Sequence, residues 1–170
     1  MAERRSLNIL LVDDSSDDLE LLLTAFERIG VTKNIACVNG GHEAIDYIQG
    51  YGKFCDRDLY PYPSFIMTDL KMPEGDGFAL LEQLKSMPGY SVFPTIVMSS
   101  SSDEDDIRTA YMLGASTYLV KPSGFEELVR VLRVLLDLWL VAKLPAVDLT
   151  GKQINTSSVG KLGERFPELR

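Results

Sequence analysis

Cross-linking chemistry is nearly missing from this chain of 170 residues, which has two cysteines and one histidine. Cys37 and Cys55 stand far apart with no CxxC spacing, which argues against a disulfide framework and a thiolate zinc site. The single histidine, His42, opens the second helical pattern, far in sequence from every other candidate residue. It reads as a surface residue, so the chain carries no histidine phosphodonor of its own. Long apolar runs are also lacking. The start, MAERRSLNILLVDD, offers only about five apolar residues before two aspartates, too few for a signal peptide. Nothing approaches the ~20 apolar residues of a membrane span, and a cytoplasmic location is expected. Basic residues are in the minority, with 17 Lys and Arg against 25 Asp and Glu, a formal charge of −8. That argues against nucleic acid or an anionic membrane as the main partner.

What is present suits one globular domain: 45% apolar residues, 25% charged, eight prolines and thirteen glycines. The length leaves no room for a separate output domain of ordinary size. Five short apolar runs, 8–12, 34–38, 64–68, 95–98 and 117–120, alternate with stretches of helical spacing. Near-continuous runs of this length read as strands buried on both faces. Leu19, Leu22, Leu23, Phe26 and Ile29 form the first helical stripe, closed by Gly30. Ala44, Tyr47 and Ile48 form the second, Phe78, Leu81 and Leu84 the third, and Ile107, Ala110, Tyr111 and Leu113 the fourth. Ser123 and Glu126 have capping-box spacing at the head of a fifth helix running to about Lys143. The order is (βα) five times over, a parallel sheet with helices on both faces. The connection GYGKFCDRDLYPYP is longer than usual, and its aromatics Tyr51, Phe54, Tyr60 and Tyr62 should pin it to the surface. Residues 5–143 make the domain; 144–170, polar and broken by Pro145 and Pro167, make a C-terminal extension.

In an open parallel α/β sheet, ligands bind beyond the carboxyl ends of the strands. Asp13 and Asp14 follow the first strand, Asp69 the third, Ser99 the fourth and Lys121 the fifth. Acids, a hydroxyl and an ammonium therefore converge on one edge. Two carboxylates about 4 Å apart repel by roughly 4 kcal/mol at an effective dielectric of ~20. Such a pocket raises a pKa or recruits a hard cation. Mg²⁺ takes oxygen ligands and keeps several waters. Asp14, Asp69 and the Lys71 backbone carbonyl are the candidate ligands, with Asp13 holding a metal-bound water. Asp69 is then a carboxylate nucleophile for phosphorus, and Ser99 and Lys121 share the charge on the phosphoryl oxygens.

The segments LLVDD, MTDLKMPEGDGF, PTIVMSS and GASTYLVKP together resemble the receiver domain of two-component response regulators, over about residues 7–143. The resemblance implies a flavodoxin-like doubly wound sheet of strand order 2-1-3-4-5. It implies Asp69 as phosphoacceptor, Asp13 and Asp14 as the acidic pair, Ser99 as switch hydroxyl, Lys121 as the ammonium on the phosphoryl group and Tyr118 as the aromatic rotamer partner. It implies Mg²⁺ as cofactor and a histidine kinase or phosphotransfer protein as donor in a phosphorelay, with no enzyme activity beyond self-phosphorylation and self-dephosphorylation. The long loop after the second helix is similar to that of stand-alone regulators paired with bacterial phytochromes.

Further expectations concern smaller features. Lys71 and Ser101, each two residues past a site residue, should flank the phosphoryl group and set its lifetime. Ser15 and Asp18 fit a cap of the first helix, Ser101 or Ser102 a cap of the fourth, and Asp76 a cap of the third, with Gly75 and Gly77 shaping the turn after Asp69. The fifth helix has two apolar stripes: Leu128, Leu132, Leu135 and Trp139 for the sheet, and Val131, Val134, Leu138 and Val141 beside it. The second stripe predicts a homodimer through the fourth helix, fifth strand and fifth helix, or cover by the C-terminal segment. Two other readings compete. An aspartyl-phosphate hydrolase would carry an acid where Lys71 stands, and a docking module without phosphoryl chemistry would not need the full set of acids, hydroxyl and lysine.

Overall fold

Five short runs of mostly apolar residues become strands: β1 (Ile9–Val12), β2 (Ile35–Val38), β3 (Phe65–Thr68), β4 (Thr95–Ser99) and β5 (Thr117–Val120). They alternate with α1 (Ser16–Arg28), α2 (Gly41–Gln49), α3 (Gly77–Ser86), α4 (Glu104–Met112) and α5 (Phe125–Val141). The computed structural model describes residues 7–73, 77–87 and 89–143; the expectations for Gly75, Asp76 and the segment 144–170 lie outside them. The sheet is parallel with order β2-β1-β3-β4-β5, as expected. Strands β1, β3 and β4 are buried along their whole length, which accounts for apolar runs without alternation.

Helices cover both faces. Leu19, Leu22 and Phe26 of α1 and Leu128, Leu132 and Leu135 of α5 close one face over Ile9, Leu11 and Phe65. Ala44, Tyr47 and Ile48 of α2 and Leu80 and Leu84 of α3 close the other over Leu10, Val12 and Ile66. Ala110 of α4 completes that side near Val97. The second α5 stripe divides: Val131 packs partly buried against the core, while Val134, Leu138 and Val141 are exposed.

Caps follow the sequence reading in part. Ser15 caps α1, its side chain accepting from Asp18 N–H. Helix α5 begins one residue later than a Ser123 cap requires: Gly124 is its N-cap, with no side-chain bond. That shift puts Glu126 at the second helical position, out of capping-box register. Asp103, rather than Ser101 or Ser102, caps α4 by accepting from Asp105 and Asp106 N–H. With α4 starting at Glu104, Asp103 holds the N-cap position, where a carboxylate also suits the positive end of the helix. The long connection is ordered, with Phe54 buried and its ring packed on Tyr47 and Tyr60. Arg57 donates to the carbonyls of Tyr47 and Ile48 at the end of α2 (2.8 and 2.7 Å) and lies over the Tyr62 ring.

Candidate functional site

Sheet register brings the site together. Val12 stands opposite Val38 and Thr68, Thr68 opposite Val97, and Ser99 opposite Val120. Pairing continues one residue past the strands: Asp13 N–H donates to Val38 O (3.2 Å), Asp69 N–H to Val12 O (3.1 Å) and Lys121 N–H to Ser99 O (2.8 Å). These bonds bring Asp13, Asp69 and Lys121 out together at the carboxyl edge.

Lys121 is the hub. Its Nζ lies 3.1 Å from Asp13 Oδ2, 2.8 Å from Asp69 Oδ2 and 2.5 Å from Asp18 Oδ2. An ammonium has three donors, and here each one faces a carboxylate. The Lys121 side chain is only 22% exposed. Burial alone favours the neutral amine, but the bonds to Asp18 and Asp69 and the charge of Asp13 outweigh it and raise its pKa. Asp13 is almost fully buried. Loss of water pushes its carboxyl above the ordinary value, with Asp69 adding to the shift; the Ser15 N–H and Lys121 oppose it without cancelling it.

Asp69 is held from two sides. Its Oδ1 accepts from Leu70 N–H (2.6 Å) and Lys71 N–H (3.4 Å), while Oδ2 faces Lys121. Gly77 is required beside it: a Cβ there would fall 2.1 Å from the Asp69 carbonyl oxygen and 2.8 Å from Leu70 Cα. Gly77 N–H donates to Leu70 O (2.9 Å), so the head of α3 lies against the backbone that presents Asp69.

The acids that meet are not quite those expected. Carboxylate oxygens of Asp13, Asp18 and Asp69 lie within 4.8 Å of one another. Asp14 is exposed and stands outside that group. Asp18 was expected only to help cap α1; its backbone N–H does so, while its carboxylate reaches Lys121. A signal for this existed, because helical side chains lean toward the N-terminus. An acid in the first turn after β1 therefore leans back over the strand end. Three carboxylates around one ammonium leave excess negative charge, on a buried Asp13, a mostly buried Asp69 and a more exposed Asp18. That donor set fits a hard divalent cation, and these acids could hold one.

The hydroxyl side is a separate network. Ser99, fully buried, is the last residue of β4 rather than the first beyond it. Its Oγ accepts from Ser101 N–H at 3.4 Å. Tyr118, on the sheet-edge strand, donates its hydroxyl to Ser101 O (2.9 Å), and its N–H donates to Tyr111 Oη (3.2 Å). Ser101 Oγ donates to Asp106 Oδ2 (2.6 Å), and Lys71 Nζ lies 3.5 Å from the same oxygen. Tyr111 and Asp106 were missed as site neighbours, since periodicity marks only that both lie on α4. His42 is exposed, as expected.

A five-stranded parallel sheet with a lysine among carboxylates at its carboxyl edge defines a phosphoacceptor module. The chain belongs to the response regulator receiver domain family, whose model matches residues 9–133. It is 36% identical over 135 residues to the probable methanogenesis regulatory protein FilR2 of Methanothrix harundinacea, covering 78% of this chain and 83% of that protein. It is 29% identical over 139 residues to response regulator Rcp1 of Synechocystis sp., covering 81% and 92%. The phosphorylated cyanobacterial phytochrome response regulator RcpA superposes with a TM-score of 0.75 at 30% identity, over 84% of this chain and all of that one. Response regulator RPA3017 in red light signalling of R. palustris gives 0.77 at 33% identity, over 83% and 100%. Among the described residues no helix is long and apolar enough to cross a membrane.

Proposed function

We propose that Asp69 is the phosphoacceptor and that residues 5–143 form the phosphoacceptor unit, with 144–170 outside it. One observation carries the assignment: Asp69 Oδ2 sits 2.8 Å from Lys121 Nζ while backbone N–H groups hold Oδ1. The carboxylate is thus oriented, with a cation in place for incoming phosphoryl oxygens. Asp13 and Asp69 from the acidic cluster, together with Asp14 and the Lys71 backbone carbonyl, would hold Mg²⁺ while Asp18 stays on Lys121; the ion when bound offsets the negative charge of the phosphoryl group. In the transfer an Asp69 oxygen bonds to phosphorus as the donor's P–N bond breaks. The donor histidine nitrogen keeps the bonding pair, and one proton taken up by the ring from solvent leaves it as neutral imidazole. A sensor histidine kinase or a histidine phosphotransfer protein supplies it.

The new group brings about −1.5 to −2 charge. Lys121 exchanges a carboxylate contact for a phosphoryl oxygen, and the Ser99 hydroxyl turns to donate to another. Ser101 N–H donates to Ser99 Oγ and the Tyr118 hydroxyl to Ser101 O, so α4, β5 and α5 change their surface with it. Shifting such an equilibrium from 1:99 to 99:1 needs about 5.5 kcal/mol. A few charge-assisted bonds of about 1.5–3 kcal/mol each supply it. The chemistry is confined to self-phosphorylation and self-dephosphorylation. Likeness to phytochrome and red-light regulators supports a kinase of that type as donor; the cytoplasm is the location proposed for the exchange. The exposed α5 stripe supports a homodimer through α4, β5 and α5. Light scattering should show a dimer that Leu138→Glu dissociates; a monomer in the unsubstituted chain overturns this part.

Incubation with acetyl phosphate and Mg²⁺ should give a hydroxylamine-labile adduct that Asp69→Asn abolishes and EDTA prevents. An equal yield of that adduct from Asp69→Asn overturns the assignment.

A further inference from the structure

We infer that Asp106, in the first turn of α4, is a positioning residue: it holds Lys71 and Ser101 beside the phosphoacceptor and so sets how long Asp69 stays phosphorylated. The inference rests on the proposed role of Asp69. Three observations lead to it. Asp106 Oδ2 accepts from Ser101 Oγ at 2.6 Å and lies 3.5 Å from Lys71 Nζ, so one oxygen serves residues from two loops. Lys71 is rooted at the site, its N–H 3.4 Å from Asp69 Oδ1. Ser101 is rooted there too, its N–H on Ser99 Oγ and its carbonyl on the Tyr118 hydroxyl. Asp106 thereby ties the loop after β3 to the loop after β4 without passing through Asp69.

An ion pair with a lysine side chain 64% exposed is weak by itself. Its value lies in competition. Asp106 is only 26% exposed, anchored by the Ser101 hydroxyl, and placed where the positive end of α4 favours a carboxylate. A phosphoryl group on Asp69 offers the Lys71 ammonium a more highly charged partner, and Asp106 draws the ammonium away from it.

Dephosphorylation needs water at phosphorus. A water oxygen bonds to phosphorus, the P–O bond to Asp69 breaks, the carboxylate leaves with the bonding pair, and both water protons remain on the released phosphate. A lysine folded over the phosphoryl oxygens blocks that approach. Held at Asp106, it leaves the approach open.

The test is decay of the adduct in the full chain, made with acetyl phosphate and Mg²⁺ and followed by hydroxylamine lability. Asp106→Asn keeps an acceptor for Ser101 and removes the charge that holds Lys71. It should lengthen the lifetime about three- to tenfold. In the Lys71→Ala background the same change should alter the lifetime by less than about twofold, because the competing ammonium is gone. Asp106→Glu should restore a lifetime close to the original. Unchanged decay in Asp106→Asn overturns the inference and leaves the phosphoacceptor reading standing. Equal lengthening with and without Lys71 also overturns it, since the effect would then be structural. No adduct in the unsubstituted protein overturns both.

Discussion

The two ends of the sheet are built on opposite principles. At the amino end neutral groups pair reciprocally: Asn8 N–H donates to Ser64 Oγ and Ser64 N–H to Asn8 O, while Thr95 N–H donates to Ser116 Oγ and Ser116 N–H to Thr95 O. The long connection joins that end through Asn8 Nδ2 on Tyr62 O. At the carboxyl end three carboxylates share a single ammonium, and burial raises the pKa of Asp13. Satisfied polar groups close a structure, whereas unbalanced charge leaves it ready for a ligand that completes it.

Substitutions should separate the two ends sharply. The largest effect is expected from Gly77→Ala, whose methyl group has no room against the Asp69 carbonyl. The head of α3 must move, destabilising the domain by about 3 kcal/mol and displacing Asp69. Denaturant melts and adduct yield should fall together.

A smaller effect belongs to the neutral half. The Tyr47 hydroxyl donates to Pro61 O (2.9 Å), and burial pushes its pKa up to about 12 from 10.0. The neutral phenol is favoured in the folded state, so its contribution is complete below pH 10.0 and is lost as pH rises toward about 12. Across that window stability should drop by about 2 kcal/mol more than in Tyr47→Phe. Alkaline melts of the two proteins that run parallel would sink this.

Two smaller effects then bear on the comparison directly. Ser116→Ala removes one amino-end partner and should cost about 1 kcal/mol, with adduct formation by acetyl phosphate intact. Asp13→Asn should do the reverse. The folded-state pKa of Asp13 is raised above 3.8, so its stabilising contribution is present below that pH and lost as pH rises through the raised value. At neutral pH the buried carboxylate is a liability. The amide should raise metal-free stability while reducing the gain in melting temperature that Mg²⁺ gives the unsubstituted protein. A metal-free melting point that falls in Asp13→Asn would show that its bond to Lys121 outweighs the burial.

Much of this was legible beforehand, and the misses share a cause. Strand runs and helical stripes appeared within a residue or two of their places, because burial on both faces or on one leaves a period in the sequence. Asp13, Asp69 and Lys121 could be placed together because each follows a strand of the same sheet. Asp18 could not be distinguished from a capping acid, since its backbone does cap α1 while its side chain does something else. Asp103 displaced the serines as the α4 cap, and the start of α5 slipped by one residue; both were settled by local energies too similar to rank from composition.

By itself, then, the sequence determined the alternation of strands and helices, the edge where charge collects and the family to which the chain belongs. Those features follow from periodicity and from residues that directly succeed strands. Only the tertiary structure decided that Asp18 rather than Asp14 reaches Lys121, and that Lys71 and Ser101 meet on Asp106. Residues 18 and 121, or 71 and 106, share no period and no element. Their meeting depends on where packed helices come to rest on a twisted sheet, and on which way each side chain turns once they are there.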